Sequence, residues 1–322
     1  MFGKYRDLIL NNQSDIYHST TCHYHNWSTL IHTPINELLF PSLPRECDFG
    51  YDIPQFKKHI DIFDGWRMIH FTSSNWCIPI TFCLCYLLMI AGTKKYMGPK
   101  DGGRAPIRAN KYIIAWNLFL SFFSFIGVYF TLPYHLFDEE NGLFVHGFYS
   151  TVCNTGAYYG NGNVGFFVWL FIYSKMVELV DTFFLLIRKN PVIFLHWYHH
   201  LTVLLYCWHA YSVRIGSGIW FATMNYFVHS LMYLYFAMTQ YSPATKKFAK
   251  KFSKFITTIQ ILQMVIGLIV TLAAMLYVTF NVPCYTSLVN SIMGLMMYAS
   301  YFVLFVQLYV SHYVSPKRVK KV

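Results

Sequence analysis

The sequence has few charged residues: only 12% of its 322 positions are Asp, Glu, Lys or Arg. A soluble domain usually carries about 25% of such residues to cover its surface. Hydrophobic residues make up 55% of the chain and aromatic residues 20%. This balance excludes an ordinary soluble protein and indicates a surface that faces lipid. The net charge of +11 therefore does not predict nucleic-acid binding, and we expect no nucleic-acid partner.

Closely paired cysteines are also absent. None of the eight cysteines belongs to a CxxC motif, and Cys83, Cys85 and Cys207 lie in apolar runs. This pattern argues against disulfides and against a zinc site. The first residues lack an apolar run behind a basic start, so we expect no cleavable signal peptide.

Seven apolar stretches follow a polar N-terminal tail at 1–72, and each is close to the roughly 20 residues that cross a bilayer. The sequence therefore predicts an all-α polytopic membrane protein, with a transmembrane domain at 73–312 and a basic tail at 313–322. We place the seven transmembrane helices at about 73–92, 113–132, 164–187, 192–212, 217–238, 255–278 and 288–312.

Basic residues alternate between the predicted connections. They favour the first, third and fifth loops and the C-terminal tail, whereas the second loop, 133–163, has no Lys or Arg. By the positive-inside rule the basic loops face the cytosol. An odd number of spans then places the N-terminal tail on the lumenal side, where the glycosylation sequons at Asn12 and Asn26 agree with it.

Four of the predicted spans carry polar residues three and four positions apart, a spacing that places them on one helical face. Lipid does not tolerate such groups, so these faces are expected to form a polar site inside the bundle. The sets are Lys175, Glu178 and Thr182 with Asp181 beside them; His196, His199 and His200; Asn225, His229 and Tyr233; and Thr257, Gln260 and Gln263.

A structural ion pair is the simplest alternative explanation for these charges. A charged group at bilayer depth costs on the order of 3 kcal/mol, and Lys175 would neutralise one carboxylate. The pair leaves a second carboxylate and four histidines unexplained. Interacting carboxylates and imidazoles are typical of proton-transfer sites, so the pattern favours catalysis. His209 and His312 are interpreted as structural or interfacial.

Four motifs in order carry a family resemblance. They are KxxExxDT at 175–182, HxxHH at 196–200, NxxxHxxMYxY at 225–235 and TxxQxxQ at 257–263. HxxHH alone is weak, because membrane di-iron enzymes share it, but the ordered set resembles the very-long-chain fatty acid elongase (ELO) family. Residues around Trp197 and Asn225 look most like members that act on saturated and monounsaturated chains.

This resemblance implies an acyltransferase, a 3-ketoacyl-CoA synthase that performs the first step of the microsomal elongation cycle. Acyl-CoA and malonyl-CoA would condense to 3-ketoacyl-CoA, carbon dioxide and CoA, through an acyl-imidazole on the HxxHH box. His199 is the expected nucleophile and His196 the second choice. His200 and His229 would transfer protons or stabilise the enolate, and Lys175, Glu178 and Asp181 would set the charge of the cluster.

The substrates would be held by groups of two kinds. Amides and hydroxyls on the inner faces would bind carbonyl oxygens: Asn225, Tyr233, Gln260 and Gln263. Cytosolic bases would bind CoA phosphates, unless they serve topology alone: Arg188, Lys189, Lys246, Lys247, Lys250 and Lys251. The apolar faces that remain would line a tunnel for the acyl chain.

The resemblance also implies partners and a location. We expect no cofactor and no metal, a homo-dimer, and association with the reductases and dehydratase of the cycle. The expected location is the endoplasmic reticulum membrane with a cytosolic C-terminus, because 318–322 loosely resembles a dilysine retrieval signal.

Two other classes of protein remain open at this stage. A membrane di-iron desaturase or hydroxylase also uses HxxHH, but it needs roughly eight histidines, and the predicted spans offer one box and His229. A seven-span transporter or receptor fits the span count. The concentration of histidine, glutamine and carboxylate on consecutive helices suits chemistry better.

Overall fold

A computed structural model describes residues 63–99, 103–139, 141–154 and 162–315. The regular structure in these ranges is helical throughout, which confirms the all-α class. The α-helices are α1 (Gly65–Ser74), α2 (Cys77–Met97), α3 (Asn110–Phe137), α4 (Leu143–Cys153), α5 (Gly162–Val177), α6 (Val180–Ile187), α7 (Phe194–Ser212), α8 (Gly218–Tyr241), α9 (Pro243–Ala249), α10 (Ser253–Thr279) and α11 (Leu288–Tyr309).

Several predicted boundaries need correction. The predicted third span, 164–187, is two helices, because the backbone changes at Glu178 to tighter three-residue turns: the Asp181 amide donates to the Glu178 carbonyl at 3.1 Å, and the Thr182 amide to the Leu179 carbonyl at 3.3 Å. Helix α4 lies inside the predicted second loop, and α1 begins within the predicted tail.

Four helical segments within the described ranges are long and apolar enough to cross a membrane, so the chain is a membrane protein. They are Cys77–Met97, Asn110–Phe137, Pro243–Thr279 and Leu288–Val314. Helices α7 and α8 carry the polar motifs, which lower their hydropathy, and α5 and α6 are each too short. The count of seven spans and the division at 72 and 312 stay predictions; residues 1–62, with both sequons, and 316–322 lie outside the described ranges.

The helices bury their apolar faces against each other and leave a lipid-facing exterior. Helix α8 packs along α3, α10 packs against α11, and α7 contacts α1, α2, α5 and α11. The outer faces of α2 and α3 expose large apolar side chains such as Leu88 (71% exposed) and Phe122 (64%). In water such a surface would aggregate, so it indicates lipid contact.

The predicted connections gather at two ends of the bundle. At one end the Tyr285 amide donates to the Cys153 carbonyl (2.7 Å), and the Gly216 amide donates to the Tyr285 carbonyl (2.6 Å). These contacts join the second, fourth and sixth connections. At the other end Lys189 Nζ donates to the Pro99 carbonyl (2.7 Å), which joins the first and third connections. The structure thus has one end rich in basic residues and one end poor in them.

A disulfide joins Cys153 and Cys284 at the end that is poor in basic residues. The expectation that the chain has no disulfide was therefore wrong. The two cysteines are 131 positions apart, so no local spacing in the sequence predicts the pair. The packing of α4 against the α10–α11 connection brings them together. Cys83, Cys85 and Cys207 are free, as their apolar setting suggested.

Reduction of this disulfide is expected to destabilise the protein by about 3 kcal/mol, since it closes a long loop and restricts the unfolded chain. A Cys153→Ser/Cys284→Ser variant should show the same loss in the free energy of unfolding, and reductant should not add to it. The measurement is unfolding in detergent with and without dithiothreitol. If the free energy of unfolding of the parent protein did not change with reductant, this prediction would be contradicted.

Candidate active site

A cavity of about 690 Å³ opens among α3, α6, α7, α8, α10 and α11. It extends from the basic end of the bundle to the polar residues of the interior. Most of the site residues predicted from the sequence line it: Asp181, Arg188, His196, His199, His200, Asn225, His229, Tyr233, Gln260 and Gln263. Lys175 and Glu178 lie behind this wall and are 2% and 4% exposed.

Lys175 organises a chain of hydrogen bonds that ends at a histidine of the cavity wall. Its Nζ donates to Glu178 Oε1 (2.7 Å) and to Asn225 Oδ1 (2.8 Å). Because an ammonium group only donates, the Asn225 atom facing it must be the amide oxygen. The Asn225 amide nitrogen then donates to His229 Nε2 (3.2 Å). His229 is therefore held neutral with its proton on Nδ1, which lies 3.9 Å from Glu178 Oε2.

Asp181 is held by neutral donors and, among the residues that the structure describes, has no lysine within ion-pair distance. Trp116 Nε1 donates to its Oδ1 (2.6 Å), and the Tyr233 hydroxyl donates to its Oδ2 (2.7 Å). Lys175 bonds Glu178, whereas Trp116 and Tyr233 bond Asp181, so the two carboxylates of the KxxExxDT motif have different donors. Both oxygens of Asp181 are satisfied, which lets a buried carboxylate persist at this depth.

The HxxHH box presents three histidines with different surroundings. His196 Nε2 shares a hydrogen bond with the Thr182 hydroxyl (2.8 Å), which in turn contacts the Tyr86 hydroxyl (2.8 Å). His200 is buried, and its ring lies 4.6 Å from that of His196 and 5.4 Å from that of His199.

His199 differs from His196 and His229 in its hydrogen bonds, and from His200, whose ring is likewise unbonded within the described residues, in being more exposed to the cavity. Within the described part of the chain neither of its ring nitrogens makes a hydrogen bond, and the ring packs against Tyr301 with 5.0 Å between centroids. The side chain is partly exposed and lies on the cavity wall. An imidazole with a free lone pair facing a cavity can attack a carbonyl carbon.

The glutamines of the TxxQxxQ motif lie on the opposite wall, on α10. Gln260 Nε2 contacts Met232 Sδ at 3.3 Å, and Gln263 is 6% exposed. Thr257, which begins the motif, also lines the cavity. These side chains face the histidines across the cavity, where amide N–H groups can bind carbonyl or carboxylate oxygens.

Only some of the basic residues predicted to bind CoA lie on the cavity wall. Arg188 lines the cavity mouth and donates from Nη1 to Gln240 Oε1 (2.8 Å); Lys246 and Lys250 line it as well. Lys189, Lys247 and Lys251 do not belong to the cavity wall. His312, interpreted from the sequence as structural or interfacial, lies on the wall near the mouth, whereas His209 is buried and bonded to Asn290 (2.8 Å).

Trp116 and Tyr86 are site residues that the motif analysis missed. Both lie on helices without a polar stripe, and each reaches a motif residue through one hydrogen bond. One signal was available for them: an indole N–H or a phenol at membrane depth needs an acceptor within the protein. The sequence does not say which acceptor it finds.

The described residues contain no group of three His, Cys, Asp or Glu side chains arranged to hold a metal ion. His196 and His229 each commit a ring nitrogen to a protein hydrogen bond. This geometry differs from the histidine clusters that the di-iron interpretation requires.

The matches to known proteins agree with the order of these motifs. The GNS1/SUR4 (ELO) family model matches residues 71–321. The chain belongs to this family. The matched range contains the described cavity and all four motifs, and it begins near the end of α1. Membership in an elongase family shows an enzyme of fatty acid elongation and decides against a transporter or receptor.

Individual relatives of this family agree over most of their length. The chain is 36% identical to fatty acid elongase 3 of Trypanosoma brucei brucei over 294 residues, which cover 81% of this chain and 92% of that protein. It is 40% identical to fatty acid elongase 3 of Trypanosoma cruzi over 261 residues (74% and 85%). It is 36% identical to very long chain fatty acid elongase 6 of Gallus gallus over 261 residues (81% and 92%).

Proposed function

We propose that this elongase is a 3-ketoacyl-CoA synthase that condenses a long-chain acyl-CoA with malonyl-CoA. The observation that carries the proposal is the His199 ring, which makes no hydrogen bond within the described residues and is more exposed to the cavity than the equally unbonded but buried His200 ring. His196 and His229 are less suited to attack, because a ring nitrogen of each is already engaged.

The proposed reaction has two steps. In the first, a ring nitrogen of His199 attacks the thioester carbonyl, the C–S bond breaks, and CoA leaves as the thiol with the proton that the imidazole gives up. In the second, malonyl-CoA loses carbon dioxide, and its α-carbon attacks the acyl carbon. The C–N bond then breaks, the imidazole nitrogen takes up one proton from solvent, and neutral imidazole and 3-ketoacyl-CoA are formed.

The neighbouring groups have separate roles in this scheme. His200 lies beside the nucleophile and can carry its proton. Gln260 and Gln263 on the opposite wall can donate to the enolate oxygen or the malonyl carboxylate. Lys175, Glu178 and Asn225 hold His229 in one tautomer, and Trp116 and Tyr233 hold Asp181.

The two ends of the cavity suit the two parts of an acyl-CoA. Arg188, Lys246 and Lys250 at the mouth would receive the CoA phosphates. The inner wall would receive the chain, since it includes Val228 and Met264. We propose saturated and monounsaturated chains as the substrates, on the resemblance around the HxxHH box, and no metal or other cofactor.

The proposed location is the endoplasmic reticulum membrane, with the basic end in the cytosol and the N-terminus in the lumen. The Cys153–Cys284 disulfide supports this orientation, because disulfides form in oxidising compartments and this one lies at the end that is poor in basic residues. A homo-dimer and contacts with the reductases and dehydratase of the cycle are further proposals.

The test is a condensation assay on purified protein in lipid nanodiscs. With long-chain acyl-CoA and malonyl-CoA labelled at its free carboxyl, we expect labelled carbon dioxide and 3-ketoacyl-CoA in equal amounts, and the same rate after treatment with a metal chelator. Consumption of acyl-CoA that requires oxygen and does not depend on malonyl-CoA would contradict the proposal.

A further inference from the structure

A chain of three hydrogen-bonded side chains leads from helix α2 to the HxxHH box. The Tyr86 hydroxyl lies 2.8 Å from the Thr182 hydroxyl, and the Thr182 hydroxyl lies 2.8 Å from His196 Nε2. Tyr86 is 2% exposed and Thr182 is 0% exposed. Neither of them lines the cavity, whereas His196 does. Tyr86 and Thr182 therefore lie behind the cavity wall and can act on a substrate only through the His196 ring.

The direction of donation along this chain follows from a count of its protons. Within the described residues Thr182 is the one hydrogen-bond partner of the Tyr86 hydroxyl. If Tyr86 accepted from Thr182, the buried phenol proton would have no acceptor. If Tyr86 and His196 both donated to Thr182, the Thr182 proton would have none. A stranded buried donor is unfavourable, so Tyr86 donates to Thr182, and Thr182 donates to His196 Nε2.

This direction fixes the protonation of the His196 ring. Because Nε2 accepts a hydrogen bond, the ring is neutral and its proton lies on Nδ1. Nδ1 makes no hydrogen bond within the described residues, yet it is not fully buried, and the side chain is partly exposed on the cavity wall. The ring thus offers an N–H donor and has no free lone pair. Such a ring is unsuited to attack on a carbonyl carbon, but it can bind an oxygen that gains negative charge.

His196 and His199 are placed to act on the same carbonyl group. They lie three positions apart on α7, so they share a helical face, and both line the cavity. One of them has a free lone pair, and the other has a free N–H group. These are the two functions that attack on a thioester requires, a nucleophile for the carbon and a donor for the oxygen.

We propose that His196 stabilises the oxyanion of the thioester, and that Tyr86 is the positioning residue that holds His196 in the Nδ1–H tautomer. This inference rests on the proposed function. When a His199 nitrogen attacks the thioester carbon, an electron pair moves from the C=O bond to the oxygen, to which His196 Nδ1–H donates. The pair returns to the carbon as the C–S bond breaks. His196 neither gains nor loses a proton in this step.

The first test compares three replacements of His196 in the full chain in lipid nanodiscs. The amide nitrogen of asparagine reaches about the position of the histidine Nδ1, and that of glutamine about the position of Nε2. His196→Ala should lower the single-turnover condensation rate by about 10²–10³-fold, the loss found when one oxyanion donor is removed. His196→Asn should recover about tenfold of this loss and His196→Gln little of it, with the acyl-CoA concentration at half-maximal rate unchanged.

The comparison separates a donor from a nucleophile or a base, because an amide replaces only a donor. A folded His196→Asn protein that is as slow as His196→Ala would overturn the proposed role of His196. A parent that condenses no acyl-CoA with malonyl-CoA would instead refute the proposed function.

The second test addresses Tyr86. Tyr86→Phe removes only the hydroxyl and leaves Thr182 free to accept from His196, so both tautomers become populated and the rate should fall about tenfold. Tyr226→Phe is the matched control, because Tyr226 is also 2% exposed, donates to one group, the Phe167 carbonyl (2.8 Å), and does not line the cavity. Its rate should equal that of the parent. Thr182→Val replaces Tyr86→Phe if the phenylalanine variant does not accumulate.

The tautomer can be measured independently of the rate. The ¹⁵N and ¹³C resonances of histidine-labelled protein distinguish the two neutral forms, and the His196 signals are assigned by their loss in His196→Asn. We expect the Nδ1–H form in the parent and both forms in Tyr86→Phe, a change that a merely structural role of Tyr86 would not produce. An Nε2–H form in the parent, or a Tyr86→Phe protein with the rate and spectrum of the parent, would overturn the inference.

Discussion

Replacement of Lys175 by methionine is expected to destabilise the protein by about 4 kcal/mol, the scale found when one member of a buried ion pair is removed. Glu178 would keep its charge at 4% exposure without its lysine partner. Asn225 would lose the donor that orients its amide, so His229 would lose its fixed tautomer and condensation should fall with stability. The measurement is the free energy of unfolding in detergent beside the condensation rate.

Two variants separate charge from packing in this prediction. Lys175→Met/Glu178→Gln removes both charges and should recover most of the stability while condensation stays low. Lys254→Met removes an exposed lysine and should change stability by less than about 0.5 kcal/mol. A Lys175→Met protein as stable as the parent would contradict the buried-pair account.

Replacement of His199 by alanine is expected to lower condensation by about 10⁶-fold, the order of loss seen when a nucleophile is removed, and to leave the unfolding transition nearly unchanged. The ring makes no hydrogen bond within the described residues, so its loss strands no polar partner. His196→Ala removes the hydrogen bond to Thr182 and should lower the rate less and stability more.

The measurement is the single-turnover condensation rate at saturating malonyl-CoA. The amount of folded protein in each sample is matched by the amplitude of its unfolding transition. His199→Ala with more than about a tenth of the parent rate would remove His199 from the nucleophile's role. A complete loss of condensation in His196→Ala but not in His199→Ala would assign the role of nucleophile to His196.

The sequence predicted the helical class, and it predicted that most of the motif side chains lie together, for one physical reason. Polar groups at membrane depth must face the interior, so helical spacing alone brings the HxxHH, NxxxH and TxxQxxQ residues to one cavity. The bounds of α7, α8, α10 and α11 were predicted within a few residues because apolar length dictates them.

The parts that the sequence did not predict depend on contacts distant along the chain. Within the charge cluster, Glu178 and Asp181 have different donors, Lys175 for the first and Trp116 and Tyr233 for the second. Trp116 is 65 positions from Asp181, and Cys153 is 131 positions from Cys284. No local pattern relates such pairs, because helix packing alone decides which faces meet.

The most direct test of the account is intact-mass spectrometry of the protein incubated with a long-chain acyl-CoA and no malonyl-CoA. We expect released CoA and a mass gain of one acyl group, both absent in His199→Ala, and we expect the acyl adduct to be converted to 3-ketoacyl-CoA when malonyl-CoA is added. A preparation that condenses when both substrates are present, yet forms no adduct and releases no CoA from acyl-CoA alone, would contradict the acyl-imidazole step.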